Sequence, residues 1–570
     1  MENNRGQWGS NFGFLMAAVG SAVGLGNIWG FPYKMGRSGG FTFLVVYLLL
    51  GIFVGFVIMM GELAMGRKTG KGTIGAYHQL SKKFKWVGWL AVFSPFVILS
   101  FYTVLGAYCM EYLALNLSNL AFAGAEVKAG ADLFVAMLTN PFGALAFTML
   151  FMVICYLINV GGVSGGIEKF NSVGMPALFV MLVIIIARSV TLPGAVEGLK
   201  FMFVPGYAVE GGFIEEAPGL LTVLATAGGQ MFFSLSLAMG VMITYGSYLD
   251  KEQNLVKNSV FIVIADTIVA LMAGLAVIPA AVATYGPSAA LSGPKLLFIT
   301  LQDVFQSMGT VGPLFGVVFY LLVFIAAISS AISLVEVVVT FFADRAVEKG
   351  KTPNRKKIVT LVCLAIMVEA AVVAIDGLGA NGMWVPFQNS LGIVGEFNDC
   401  WLDFMDCLSE GIAMPLGALL MSIMIGWEIK PQTILEEVHI GGTKKLDAFF
   451  SFCIKFLAPL GMLLILAGQL NDFFAEIISS GRSSFMYLQN VYARVEDQSL
   501  SLALAMAENM LEGKGAWRIH GGGFAGTVQA FVPFELLESF RAGIDAALGE
   551  GACHVLSIRP QGGVEAIVEG

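Results

Sequence analysis

The sequence predicts an all-α, polytopic membrane protein of about 11 transmembrane helices, followed by a small soluble-like α/β tail. Three observations carry this. Hydrophobic residues make up 57% of the 570 residues and charged residues 13%, against about a quarter charged in an ordinary soluble domain. Mean hydropathy is +0.80. Apolar stretches of about 20 residues, the length that crosses a bilayer core, recur until about residue 470 and then stop. Together they exclude a soluble globular, disordered or nucleic-acid-binding reading of the whole. The net charge of −8 says little about partners, because lipid is the main solvent.

The apolar runs fall near residues 11–34, 41–66, 87–118, 143–160, 170–188, 219–247, 256–284, 312–343, 358–375, 400–427 and 447–470. The polar start at 1–10 leads into the first run without a cleavage-like site, so no cleaved signal is expected. Basic residues orient the chain. With the N-terminus cytoplasmic, the connection after the second run is inside and holds Arg67, Lys68, Lys71, Lys82, Lys83 and Lys85. The connection after the eighth is also inside, with Arg345, Lys349, Lys351, Arg355, Lys356 and Lys357. The acidic loop with Glu197, Glu210, Glu215 and Glu216 then lies outside. The seven cysteines show no Cys-x-x-Cys pair and read as small packing residues. The four histidines form no evident metal cluster.

The first and sixth runs are unusual. Residues 20–27 read GSAVGLGN and residues 234–240 read SLSLAMG. Glycine and serine there weaken a helix near mid-membrane, and the freed backbone groups need partners. Interrupted helices opening two corresponding groups of five point to a transport site at a repeat interface. Close packing through small residues is the alternative. It leaves Asn27 and the intramembrane acids unexplained.

Longer motifs sharpen this. Residues 20–32 (GSAVGLGNIWGFP), 61–67 (GELAMGR), 230–248 (QMFFSLSLAMGVMITYGSY), 278–281 (IPAA) and 326–330 (AAISS), with Asp406, resemble the neurotransmitter:sodium symporter family, in particular its bacterial amino-acid transporter branch. The similarity spans about residues 5–470. It implies a five-plus-five inverted repeat with broken helices 1 and 6, no enzymatic chemistry, and two bound sodium ions with no organic cofactor. One sodium site would use Ala22, Asn27, Ser234 and Asp266, completed by the substrate carboxylate. The other would use Gly20, Val23, Ala326, Ser329 and Ser330. By itself the serine pair is a packing or back-bonding feature. Asp266 stands where many relatives carry asparagine, and Ala270 where others carry a chloride-binding serine or an acid. Tyr47, Gln230 and Ser234 complete a chloride-like set. The Asp266 carboxylate is therefore expected to replace chloride; a structural acid paired to a neighbour is the alternative. Glu62 and Glu336 are read as supports, with a proton relay as the alternative.

The resemblance also implies the substrate. Gly24 stands where relatives that carry amines have an aspartate, so the substrate brings its own carboxylate. Ala22, Gly24, Gly26, Ile98, Tyr102, Phe233, Ser236, Met239 and Leu334 would form the pocket. They carry no ionisable side chain, which favours a neutral, hydrophobic amino acid. Tyr102 and Phe233 would lie over it as a lid. Arg5, Trp8, Tyr248 and Asp344 would form the inner latch. At the outer gate Asp406 is present, but its usual arginine partner is Gly30; Lys34 and Arg37 are the available substitutes.

From about residue 471 the chain resembles the C-terminal part of a galactokinase-type sugar kinase, through 480–485 (SGRSSF), 488–492 (LQNVY) and 515–527 (GAWRIHGGGFAGT). That family's sugar-binding region and serine-rich phosphate loop are absent, so a truncated, non-catalytic fragment is expected. A membrane-tethered sugar kinase or nucleotide-binding module is the competing reading.

Overall fold

The computed structural model describes residues 6–121, 129–288, 295–385, 400–440, 442, 444–468, 499–511, 514–519, 528–549 and 551–555. The chain divides into two compact units: residues 1–386 with 393–471, and residues 387–392 with 472–570.

The first unit is helical. Its first span is α1 (Asn11–Ala22) and α2 (Gly26–Arg37), bent by 46° at the break between them. Then follow α3 (Phe41–Thr69), α4 (Val87–Ala121), α5 (Pro141–Val160) and α6 (Val163–Ser189). The sixth apolar run gives α7 (Leu220–Ser234) and α8 (Val241–Gly246). After these come α9 (Leu255–Tyr285), α10 (Gly309–Glu348), α11 (Arg355–Asp376), α12 (Trp401–Glu428) and α13 (Lys444–Gly468). Among the described residues nine helices are long and apolar enough to cross a membrane, or ten with α1 and α2 taken as one span. The sixth run falls short of that length because its helix stops at Ser234.

Local chemistry sets the ends. Ser10 caps α1 by accepting from the Gly13 amide, and Asn254 and Asn354 cap α9 and α11 in the same way. Gly70 and Gly377 terminate α3 and α11 in the left-handed conformation. The sequence places the start of the fifth run near 170, yet α6 begins at Val163. Gly162, at φ +80°, makes the turn there. Glu168 inside this helix is tolerated because it accepts from the Gly9 amide (2.7 Å) and the Ser10 hydroxyl (2.9 Å).

The core sits where α4 and α10 pack along each other, with α1, α6 and α8 against α10. In its most apolar stretch α4 is 83% buried, whereas α5 is 28% buried and presents Phe142, Leu150 and Leu157 outward. α3 and α8 approach closely through paired glycines. A Cβ on Gly66 would fall 2.0 Å from the Ile243 carbonyl oxygen, and one on Gly246 would fall 2.4 Å from that of Leu63. Arg67, at the end of α3, is buried. It donates to the Glu437 carboxylate (2.7 Å), the Gln253 carbonyl (2.5 Å) and the Glu437 carbonyl (2.5 Å). Lys251 shares that carboxylate.

In the second unit, α14 (Ser499–Leu511) and α15 (Leu537–Leu548) accompany an antiparallel pair, β1 (Ala516–Ile519) and β2 (Val528–Phe531). Ala516 faces Phe531 across the pair. Leu504, Leu511, Trp517, Phe540 and Ile544 are its core. The motifs at 480–485 and 488–492 and the glycine loop at 521–526 lie outside the described residues.

Candidate functional site

Backbone accounting locates the site. A helix interior satisfies its own amides and carbonyls; a break does not. At the first break, Val23 leaves the helical region at ψ 95°. The Gly24 amide donates to the Asn27 side-chain oxygen (3.1 Å), and the Leu25 amide to the Tyr102 hydroxyl (3.0 Å). The freed carbonyls turn to hydroxyls. Ser330 donates to the Gly20 and Ser21 carbonyls (3.3 and 3.0 Å), and Ser236 to the Ser21 carbonyl (2.8 Å). Ser329 lies 3.5 Å from the Val23 carbonyl and donates to that of Ala326 (2.8 Å). Gly20, Val23, Ala326, Ser329 and Ser330 are thus brought to one place.

The second break is more strained. Ser236 and Ala238 sit at φ +52° and +60°, and Gly240 at +73°. The two non-glycine residues occupy a region costing about 1–3 kcal/mol each, of the kind that persists where surrounding structure holds it. What holds it is Glu62, buried on α3, which accepts from the Ala238 amide at 2.7 Å.

Between the breaks lies a cavity lined by Ser21, Ala22, Gly24, Gly26, Ile98, Tyr102, Phe233, Ser236, Met239, Ser330 and Leu334. Every residue nominated for substrate from the sequence is in that wall; Ser21 and Ser330 are additions. The lining joins polar groups, Ser21, Tyr102, Ser236 and Ser330, to the apolar side chains of Ile98, Phe233, Met239 and Leu334. The Tyr102 and Phe233 rings are 6.4 Å apart, centroid to centroid. Glycine is required at 24, where a Cβ would fall 2.3 Å from the Ser330 hydroxyl and 2.5 Å from that of Tyr102.

Next to the cavity, Asp266 on α9 is fully buried. Its carboxylate accepts from Asn27 (2.7 Å), Ser234 (2.9 and 3.0 Å) and Tyr47 (3.3 Å). Gln230 donates instead to the Gly26 carbonyl at 2.7 Å. The donors of the chloride-like set are therefore already engaged, most of them on the carboxylate. The Ser234 hydroxyl and the Asp266 carboxylate meet the Asn27 side chain through its amide nitrogen, while the Asn27 oxygen takes the Gly24 amide at the first break. These hard oxygen donors suit a small cation. Among the described residues no group of three or more His, Cys, Asp or Glu side chains could hold a metal ion, so a cation here would draw on carbonyls and hydroxyls besides the single Asp266 carboxylate.

The latch and gate residues fall on opposite sides of the cavity. Trp8 donates to the Tyr245 carbonyl (3.1 Å) and packs edge-on against the rings of Tyr245, Phe14 and Tyr248. Tyr248 shares hydrogen bonds with Glu336 (2.9 Å) and Thr340 (2.7 Å). Glu336 is held by Arg355 at 2.5 Å. Asp344 accepts from the Gly72 amide at 2.7 Å. Arg5 lies outside the described residues. On the other side, Lys34 pairs with Glu410, one turn beyond Asp406 on α12, and Asp406 lies within electrostatic range of both. Arg37 bonds Tyr33 at the surface. The sequence offered Lys34 as a substitute cation but not Glu410 as its partner. The signal was there: 406 and 410 share a helix face at i, i+4 spacing.

A sequence profile of the sodium:neurotransmitter symporter family matches residues 5–130 and 135–495. An uncharacterized sodium-dependent transporter of Bacillus subtilis, YhdH, is 34% identical over 468 residues, which are 80% of this chain and 96% of the relative. One from Haemophilus influenzae is 31% identical over 481 residues, 82% of this chain and 98% of the relative. Among solved structures, the crystal structure of MhsT in complex with L-phenylalanine matches with a TM-score of 0.71 and 33% identity, covering 82% of this chain and 100% of that one.

Proposed function

This chain belongs to the sodium:neurotransmitter symporter family, and from that we propose that it is a sodium-driven, chloride-independent symporter of neutral, hydrophobic L-amino acids working by alternating access. It is a multi-pass membrane transporter and not an enzyme, as its sodium-dependent relatives are. The observation that carries the finer reading is the cavity between the two broken spans, lined by freed backbone and hydroxyls together with apolar side chains. The structural relative's complex with L-phenylalanine supports the substrate class.

In this reading the amino acid's carboxylate lies against the amides and glycines at 24–26, and its side chain against Ile98, Phe233, Met239 and Leu334. A first sodium ion uses the Ala22 carbonyl, Asn27, Ser234, Asp266 and the substrate carboxylate. A second uses the Gly20, Val23 and Ala326 carbonyls with the Ser329 and Ser330 hydroxyls. A shared ligand makes binding mutually reinforcing. Asp266 supplies the negative charge, so no chloride is needed. Glu62 and Glu336 hold the broken helix and the latch rather than the ions. Tyr102 and Phe233 cover the substrate; Trp8, Tyr248 and Asp344, with Arg5, close the N-terminal side; Lys34, Asp406 and Glu410 close the other.

Counting α7 and α8 as one broken span gives eleven, arranged as a five-plus-five repeat with the N-terminus cytoplasmic. Residues 471–570 are a truncated, non-catalytic sugar-kinase-like fragment in this reading.

The test is uptake of labelled L-phenylalanine into proteoliposomes under an inward sodium gradient. Concentrative uptake of equal size in chloride and in gluconate is expected. Uptake without sodium, or uptake lost in gluconate, contradicts the reading.

A further inference from the structure

We infer that Tyr245 is a positioning residue that couples the cation site at Ser329 and Ser330 to closure of the N-terminal side; this rests on the functional reading above. The inference begins with a buried hydroxyl that stacking does not require. The Tyr245 ring packs edge-on against Trp8, centroids 5.0 Å apart, and its carbonyl accepts from the Trp8 indole. Phenylalanine would serve that face equally. The hydroxyl points the other way, and donates to Ser333 on α10 at 2.6 Å. Ser333 passes the bond on to the Ser329 carbonyl at 2.8 Å. Ser329 is one of the two serines facing the freed carbonyls of the first break.

Two features make this link a rung rather than an isolated contact. Three residues on, Tyr248 reaches α10 again at Glu336, three residues beyond Ser333. The paired glycines described above press α8 onto α3, so Tyr245 moves with that body. Any rotation of α8 away from α10 therefore breaks the Tyr245–Ser333 bond, frees the turn that presents Ser329, and withdraws the seat of Trp8. By reciprocity, a cation that orders the Ser329 turn favours the docked Trp8, and a docked Trp8 favours the cation.

The experiment uses the purified full chain in detergent. Thermal unfolding is followed as sodium chloride replaces potassium chloride at constant ionic strength, because a ligand that binds the folded state raises Tm with its concentration. Tyr245→Phe is expected to raise the half-saturating sodium concentration about fivefold, the effect of one net hydrogen bond. Ser333→Ala should match it, and the double variant should do no more than either alone. Ser333→Ala carries the test should Tyr245→Phe not fold. Tyr320→Phe is the structural control. It removes another buried hydroxyl from α10, one bonded to the Leu297 carbonyl at 2.8 Å, and should lower Tm without sodium while leaving half-saturation unchanged. An unchanged half-saturation in Tyr245→Phe or Ser333→Ala, or additive effects in the double variant, overturns the inference. A wild-type protein that ignores sodium overturns the functional reading and this inference with it.

Discussion

At the scale of single residues, Gly24 is where space and chemistry meet most tightly. A methyl group there collides with the Ser330 and Tyr102 hydroxyls, which also partner the broken helix. Gly24→Ala is expected to cut amino-acid uptake at least tenfold and to lower Tm, since displacing the two hydroxyls takes partners from the Leu25 amide and the Ser21 carbonyl. Uptake at the wild-type rate would mean that the substrate does not approach this turn. Asp266→Asn makes the complementary prediction. It removes the charge but keeps an oxygen toward Asn27 and Ser234. Uptake should fall about tenfold in gluconate and recover in part when chloride is restored. Initial rates in the two media check this, and equal low rates would detach Asp266 from charge balance.

The same scale shows what could be read in advance. Residues on the walls of the cavity were legible where the motifs around positions 24 and 233 are dense and local; Ile98, Tyr102 and Leu334 came from the family resemblance alone. Lys34 with Glu410 was missed: the spacing of Asp406 and Glu410 was its one local signal, and a pair across 376 residues forms only once the helices are packed. Gly30 acquires a spatial reason only in the structure. Gln230 fills the space beside it, 2.9 Å from where a Cβ would stand.

At the scale of elements, the breaks are stabilised from outside rather than by their own sequence. The first is held by Asn27, Tyr102 and the α10 serines, the second by Glu62. Replacing Glu62 by alanine leaves the Ala238 amide buried without an acceptor, a penalty of about 1–3 kcal/mol. Glu62→Ala should lower Tm and also weaken uptake, whereas Glu62→Gln, which keeps an acceptor, should retain much of both. Ala238→Gly should be neutral or raise Tm, because glycine accepts the positive φ at little cost. The sequence located both breaks from glycine and serine content. It did not locate the early start of α6, because Glu168 and Lys169 look like the end of an apolar run. Only the distant bond from Glu168 to the start of α1 makes them an interior turn.

At the scale of the whole molecule, the closed N-terminal side and the Lys34–Glu410 pair lie at opposite ends of one cavity. In the proposed function, that arrangement is what lets the site face one compartment at a time. Glu410→Gln should loosen the second end: apparent substrate affinity should fall several-fold, with the sodium requirement intact. Loss of the sodium requirement instead would place Glu410 in the ion sites. Most of the membrane architecture was legible from hydropathy alone: among the described residues nine helices, or ten with the bent first span, have the length a bilayer demands, and the sixth run, stopped at Ser234, does not. Its packing order was not, because α4, α10 and the more exposed α5 have similar mean hydropathies of 1.9, 2.5 and 2.2, and hydropathy does not separate a buried helix from an exposed one.

The central claim is that two interrupted helices hold a sodium ion and an amino acid in one shared shell. Equilibrium binding measures it most directly: labelled L-phenylalanine titrated at several sodium concentrations, and labelled sodium titrated with and without phenylalanine. The account predicts that each ligand tightens the other by the same factor, in wild type and not in Asn27→Ala. Two affinities that ignore one another would contradict it.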